Sequence, residues 1–252
     1  MTYSPRPRLI LRQRMANAGV HKAVLVQYSS VHGYDNAYVL DTARSFPDRF
    51  VAVCTLDPRL PDAPAQLTEC TTRGAAGLRM RAATRTDTLD WLTCETLWQR
   101  TADLCLPVCV HFMERNQSDG VRLLPDVLAQ FPTVPVVLDH VGNPSWRDGP
   151  PEFGLGPLVR LDRFDSLYLK FTTLNLERLE AAHVEPSAVL ERLIGAFGAR
   201  RIMWGSDAPN TPGDYTQMLQ RMRLALSDVT DDDRCWILGG TTLHLYPRLA
   251  AA

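Results

Sequence analysis

Seven short apolar runs, separated by stretches long enough to carry helices, constrain this chain more than any other feature. They fall at 23–27, 50–55, 77–81, 107–111, 134–139, 167–171 and 201–206. A strand with one wet face alternates apolar and polar residues, whereas Phe50-Val51-Ala52-Val53-Cys54 and Val136-Val137-Leu138 are apolar throughout. Continuous runs of this kind belong to a parallel sheet covered on both faces. The intervening segments 5–19, 35–45, 62–73, 89–104, 119–131, 154–164, 186–197, 214–226 and 231–246 read as the covering helices. The expected fold is therefore α/β, of the (β/α)8 TIM-barrel type, with residues 1–252 forming one domain. A closed barrel of this type needs eight strands, and this chain opens on a helix. The first strand is expected to be lacking, with a gap between 23–27 and 201–206. An open doubly wound sheet is the alternative, but no glycine-rich phosphate loop follows any strand.

Composition narrows the function classes. Acids and bases nearly cancel, with a net charge of −1, so nothing electrostatic favours nucleic acid or an anionic membrane. No apolar run approaches the ~20 residues that span a bilayer. The segment Met1 to Arg14 has charge but no apolar signal core. The cysteines, Cys54, Cys70, Cys94, Cys105, Cys109 and Cys235, contain no CxxC pair. A reduced, cytoplasmic protein without a disulfide framework is expected, and a homo-oligomer is left open.

Polar residues gather at the C-terminal ends of the apolar runs: Gln27, Arg79 and Arg81, His111, His140, Lys170 and Asp207. A polar side chain in a buried strand costs free energy unless it is paired. The same feature on six strands favours a shared site over six separate accidents, and that end of a parallel barrel is where catalytic groups are mounted. Asp207 suits a general base, while His140 and His111 suit proton transfer or polarisation of a carbonyl. Arg79, Arg81 and Lys170 suit a substrate carboxylate, and Gln27 a further polar contact. Arg79 and Arg81 share one strand face and Met80 takes the other. Cys109 shares the face of His111 and reads as core packing. His21, His32, His183 and His244 read as solvated or structural.

Five stretches together are similar to the amidohydrolase-related family often called amidohydrolase 2. They are Lys22-Ala23-Val24-Leu25-Val26-Gln27, Gly77-Leu78-Arg79, Leu106-Pro107-Val108-Cys109-Val110-His111, Leu138-Asp139-His140-Val141-Gly142-Asn143-Pro144, and Met203-Trp204-Gly205-Ser206-Asp207-Ala208-Pro209. The family comprises TIM-barrel hydrolases and decarboxylases, some metal-dependent and some not. Within it the pattern looks most like lactonases acting on pyrone dicarboxylates, muconolactones and sugar lactones. The resemblance implies that Asp207 is the acid of the last strand and His140 the histidine of the sixth. It matches His111 to a metal ligand of the metal-dependent members, and Arg79 to a position used for substrate carboxylates.

Two departures bear on the chemistry. The family's first strand carries an HxH pair, and this sequence has none. Thr241 stands where members often have Asn. A divalent metal, zinc or manganese, would have only His111, His140 and Asp207 left to hold it, a weak site, so no firmly bound metal is expected. The sequence thus points to a hydrolase opening a small carboxylated lactone with water activated by Asp207. The alternatives are a metal-dependent decarboxylase of the same family, or a catalytically impaired barrel that serves in binding or assembly.

Overall fold

A computed structural model of the protein describes residues 6–81, 92, 94–146 and 148–250, with side chains from residue 9 on. Among these residues seven strands form one sheet: β1 (Ala23–Val26), β2 (Phe50–Thr55), β3 (Ala75–Arg81), β4 (Val108–His111), β5 (Val136–Leu138), β6 (Leu167–Thr172) and β7 (Ile202–Gly205). Every neighbouring pair is parallel, and spatial order follows chain order from β1 to β7. β1 and β7 are the two edge strands.

The strand faces divide between two cores. Residues such as Cys54, Leu78, Val110, Leu138, Leu169 and Ile202 pack outward against Leu40, Leu67, Trp98, Leu124, Leu193 and Met222 of the surrounding helices. On the other face, Val51, Val53, Cys109, Val137 and Met203 gather around Leu245, Tyr246 and Leu249 from the C-terminal segment. Strands at both ends of the sheet contribute to this second cluster, so the sheet is curled around it, and Tyr246 fills its interior. The helix Arg6–Ala18 packs against Tyr215–Ala225. The ring of helices is thereby continuous outside the two edge strands, and a cavity of about 650 Å³ lies behind it, lined by Val24 and Val26 on one side and Met203 and Gly205 on the other.

One irregularity sets the site. The register between β2 and β3 pairs Ala52 with Ala75 but Val53 with Gly77, so Ala76 is an extra residue. A bulge of this kind shifts the phase of the side chains beyond it. Strict alternation from outward-packed Ala75 would send Arg79 outward as well; with the bulge, Arg79 turns inward and Leu78 and Met80 outward. Gly77 suits the spot because a Cβ there would lie 3.0 Å from the Pro107 carbonyl oxygen and 3.2 Å from Val53.

Several helices differ from expectation. The segment 231–246 is helical but passes through a π turn at Trp236–Gly240, and 154–164 shortens to Gly156–Val159. Of the expected helix 89–104, residues 89–91 and 93 lie outside the described residues, and Glu95–Asp103 is helical. An additional helix, Thr173–Ala181, follows β6 directly. Thr172 and Asn175 close a capping box at its start, with Asn in place of the usual Glu or Gln. Among the described residues, no helix is long and apolar enough to cross a membrane.

Candidate active site

The C-terminal ends of the strands bring most of the expected polar groups together. Arg79 lies on β3 and Lys170 on β6, while Gln27, His140 and Asp207 lie just beyond β1, β5 and β7. All five line the 650 Å³ cavity. His111, at the end of β4, stands behind Arg79 and does not line it. Arg81 does not line the cavity either and is bonded to Ser29 Oγ at 2.8 Å. Gln27 is buried, and its amide donates to the carbonyl of Asp35, so it also holds the loop after β1.

The group at the centre is Asp139, the neighbour of His140 in the Leu138–Pro144 stretch and not among the expected site residues. It is 2% exposed and pairs with both Lys170 Nζ and Arg79 Nε, the latter 3.0 Å from Oδ2. The Arg79 Nε–H bond does not point at a carboxylate oxygen, so that contact is ionic rather than hydrogen-bonded. Burial pushes the Asp139 carboxyl upward, but Lys170 and then Arg79 outweigh it and hold the group well below the ordinary carboxylate range. Burial likewise opposes the charge on Lys170, and Asp139 overcomes it, raising the ammonium's pKa. Buried Arg79 and half-buried Lys170 share one anion, a surplus of positive charge against the cavity. The clue in the sequence was arithmetic: three expected cations faced only one expected acid.

His140 and Asp207 face each other across the end of β6, with Nε2 and Oδ1 3.9 Å apart. Both residues have left-handed backbones, φ 54° and 56°. Such conformations are costly for non-glycine residues, by about 1–3 kcal/mol each, and persist where surrounding contacts over-determine them. Here the His140 carbonyl accepts from Asn175 Nδ2 and from the Asn143 backbone N–H, both at 2.9 Å. The Asp207 carboxylate accepts from Thr211 Oγ at 3.0 Å, and its carbonyl from the Thr211 N–H at 3.0 Å. Burial lowers the pKa of His140 against the opposing pull of Asp139 and Asp207, which keeps the ring neutral near pH 7.

His111 is committed elsewhere. Its Nδ1 lies 3.0 Å from Arg79 Nη2 and 3.9 Å from Asp139 Oδ2, so only the guanidinium is within hydrogen-bond reach. A guanidinium only donates, so Nδ1 accepts and the neutral ring carries its proton on Nε2. Burial and Arg79 hold the His111 pKa well below its usual value, in keeping with a neutral ring. A ring bonded in this way has no lone pair left for a metal. His140 and Asp207 alone fall short of the three protein ligands usual in a catalytic zinc site. The set His111, His140 and Asp207 therefore does not fit a tightly held divalent metal, and no group of three or more His, Cys, Asp or Glu among the described residues has the placement of a metal site.

A parallel α/β sheet with catalytic-type side chains at its C-terminal end defines a broad class of enzymes. Within that class the chain belongs to the amidohydrolase family, whose profile matches residues 3–248. It is 26% identical over 219 residues to the 4-sulfomuconolactone hydrolase of Hydrogenophaga intermedia, covering 81% of this chain and 69% of that protein. It is 26% identical over 249 residues to the L-fucono-1,5-lactonase of Burkholderia ambifaria, covering 94% of this chain and 83% of that protein. Among solved structures, an amidohydrolase from Burkholderia multivorans with bound zinc superposes with a TM-score of 0.77 at 20% identity, over 97% of this chain and 88% of that one. A Pseudomonas putida structure assigned as a 2-pyrone-4,6-dicarboxylic acid hydrolase superposes with a TM-score of 0.76 at 24% identity, over 95% and 86%. At such identities the structural likeness shows the fold alone.

Proposed function

We propose that the protein is a hydrolase that opens a small carboxylated lactone with a water molecule activated by Asp207. The carrying observation is the His140–Asp207 pair, 3.9 Å apart, beside a cavity also lined by Arg79 and Lys170. A water about 2.8 Å from both His140 Nε2 and Asp207 Oδ1 would subtend about 90° at its oxygen, close to its own bond angle. It could then donate one hydrogen to each. The relatives at 26% identity, both named for lactones, support the substrate class.

In this reading the water oxygen attacks the lactone carbonyl while Asp207 takes its proton. The ring C–O bond then breaks, and the proton held by Asp207 passes to the departing alkoxide oxygen. The products are a hydroxyl and a carboxyl group on one opened chain, and the carboxyl gives its proton to solvent at neutral pH. Arg79 and Lys170 supply positive charge for a substrate carboxylate and for the oxyanion that develops during attack. His111 acts through Arg79, whose guanidinium it touches. Gln27, tied to the loop after β1, contributes to the wall, and Arg81, tied to Ser29, adds positive charge from outside the cavity lining.

We also infer that the seven strands correspond to the second to eighth of an eight-stranded barrel and that the whole chain is one domain. The cavity between β1 and β7, roofed by Arg6–Ala18 against Tyr215–Ala225, supports this placement of the first strand. Free thiols at all six cysteines are in keeping with a reducing, cytoplasmic setting.

Asp207→Asn tests the reading. The substitution keeps the side chain's shape and removes its capacity to take a proton. Hydrolysis of a carboxylated lactone should fall ~10²–10⁴-fold while the circular dichroism spectrum and melting temperature hold. Full activity in the folded variant would rule out the mechanism. A wild-type protein that binds such lactones without opening them would favour the binding role instead.

A further inference from the structure

Beneath His140 lies a buried chain of hydrogen bonds that runs through Thr172 and Asn175. Asn175 Nδ2 donates to the His140 carbonyl at 2.9 Å, and Asn175 Oδ1 accepts from the Thr172 backbone N–H at 2.8 Å. A carbonyl only accepts and a backbone N–H only donates, so the two ends of the Asn175 amide cannot be exchanged. The Thr172 hydroxyl oxygen accepts from the Asn175 backbone N–H in the capping box and touches two further atoms, Asn175 Oδ1 at 3.0 Å and His140 Nδ1 at 2.8 Å. It has one proton. If the proton went to Nδ1, two acceptor oxygens would be left in contact at 3.0 Å with nothing between them. If it goes to Asn175 Oδ1, the hydroxyl oxygen accepts from Nδ1–H and both contacts are hydrogen bonds. Thr172, Asn175 and His140 are 1%, 0% and 4% exposed, so water cannot substitute for either partner cheaply.

We infer that Thr172 and Asn175 are positioning residues that hold His140 as its Nδ1–H tautomer, leaving Nε2 as an acceptor beside Asp207. The two histidines then have opposite tautomers: His111 accepts at Nδ1 from Arg79, and His140 donates from Nδ1 to Thr172. The same two residues cap the helix Thr173–Ala181, so the point at which β6 becomes helix also sets the protonation pattern of the site. The tautomer follows from the hydrogen bonds alone. Its consequence for rate rests on the reading of His140 and Asp207 as the water-binding pair.

Nitrogen NMR of the full chain labelled in its histidine side chains, near neutral pH, reads the tautomer directly. His140, assigned by comparison with a His140→Gln sample, should show a protonated Nδ1 and a bare Nε2. Thr172→Ser keeps the hydroxyl and should keep that pattern. Thr172→Val should move the ring toward Nε2–H and lower kcat on a carboxylated lactone by on the order of 10²-fold with little change in KM. A purely structural cap would leave the ring resonances where they were. A protonated Nε2 in the wild type, or an unchanged ring in a folded Thr172→Val, would overturn the inference. Should Thr172→Val fail to fold, the wild-type spectrum still decides. Should lactone turnover be absent, the spectrum tests the tautomer on its own, so the two readings fail separately.

Discussion

The two sides of the strand-end site are built differently. From β3 to β6 the wall is closed: Arg79, Asp139, Lys170, His140 and Thr172 are each held by a named neighbour, and Asp139, His140 and Thr172 are almost wholly buried. From β7 round to β1 it is open: all four residues of β1 are only half-buried, and the cavity runs between the two edge strands from His21 and Lys22 up to Asp207. Groups on the closed side fix charge and tautomer before any substrate arrives, which is what electrostatic preorganisation requires. The open side supplies volume and access. Asp207 stands at the junction, held by Thr211 but facing His140 across the site.

The sharpest test of this contrast is Asp139→Asn. It keeps the shape and removes the one anion between Lys170 and Arg79, leaving buried Arg79 and half-buried Lys170 uncompensated. A loss of about 3–5 kcal/mol in unfolding free energy is expected, read from urea titration. The acid behaviour should change with it. The folded-state pKa of Asp139 is depressed, so its contribution is complete above the unfolded value near ~3.9 and is lost as pH falls below that. His111 and His140 are also depressed, but there the neutral form is the one retained in the fold. The unfolded rings take up protons below ~6.5 while the folded ones do not, so stability falls by up to about 1.4 kcal/mol per pH unit per ring as pH drops through that window. Wild-type protein should therefore lose stability in two stages, below ~6.5 and again below ~4, and Asp139→Asn should lack the second. A single stage in the wild type would mean that the closed wall does not carry its charge as described.

The sequence made the same contrast only half visible. The strands were legible because β2, β4 and β5 are apolar on both faces, and Arg79, His140, Lys170 and Asp207 were legible because each interrupts or ends such a run. Asp139 was not, because strict alternation sends adjacent residues to opposite faces. The chain leaves the strand after Leu138, and the left-handed turn at His140 brings both side chains into the site. Nor did alternation reveal the bulge at Ala76 that turns Arg79 inward; Gly77 was its one trace. The helix Thr173–Ala181 escaped because its N-terminal signal, Thr172 with Asn175, uses Asn where the motif usually has an acid or Gln.

Amide hydrogen exchange should separate the two sides next. Central β4 and β5 are paired on both edges and fully buried on their apolar residues, so their amides should open only with global unfolding. Those of β1 should exchange through local opening, with protection about 2 kcal/mol lower, measured residue by residue at neutral pH. Uniform protection across the sheet would mean that the edge strands are as firmly held as the centre.

The smallest effect compares two valines on the same inner face of the sheet. Val137 on β5 is 0% exposed and packed within the inner cluster, whereas Val24 on β1 is half-buried and borders the cavity. Val→Ala removes the same atoms at both positions. At Val137 the loss combines the transfer free energy of those atoms with a void that the closed wall cannot collapse into, about 2–3 kcal/mol in all. At Val24 the side chain is already partly solvated and lies beside existing space, so no comparable new void forms and less than ~1 kcal/mol should be lost. Urea titrations of the two variants give the difference directly. Equal losses would mean that Val24 is as tightly enclosed as Val137, and the cavity between β1 and β7 would then not be the open side of the site.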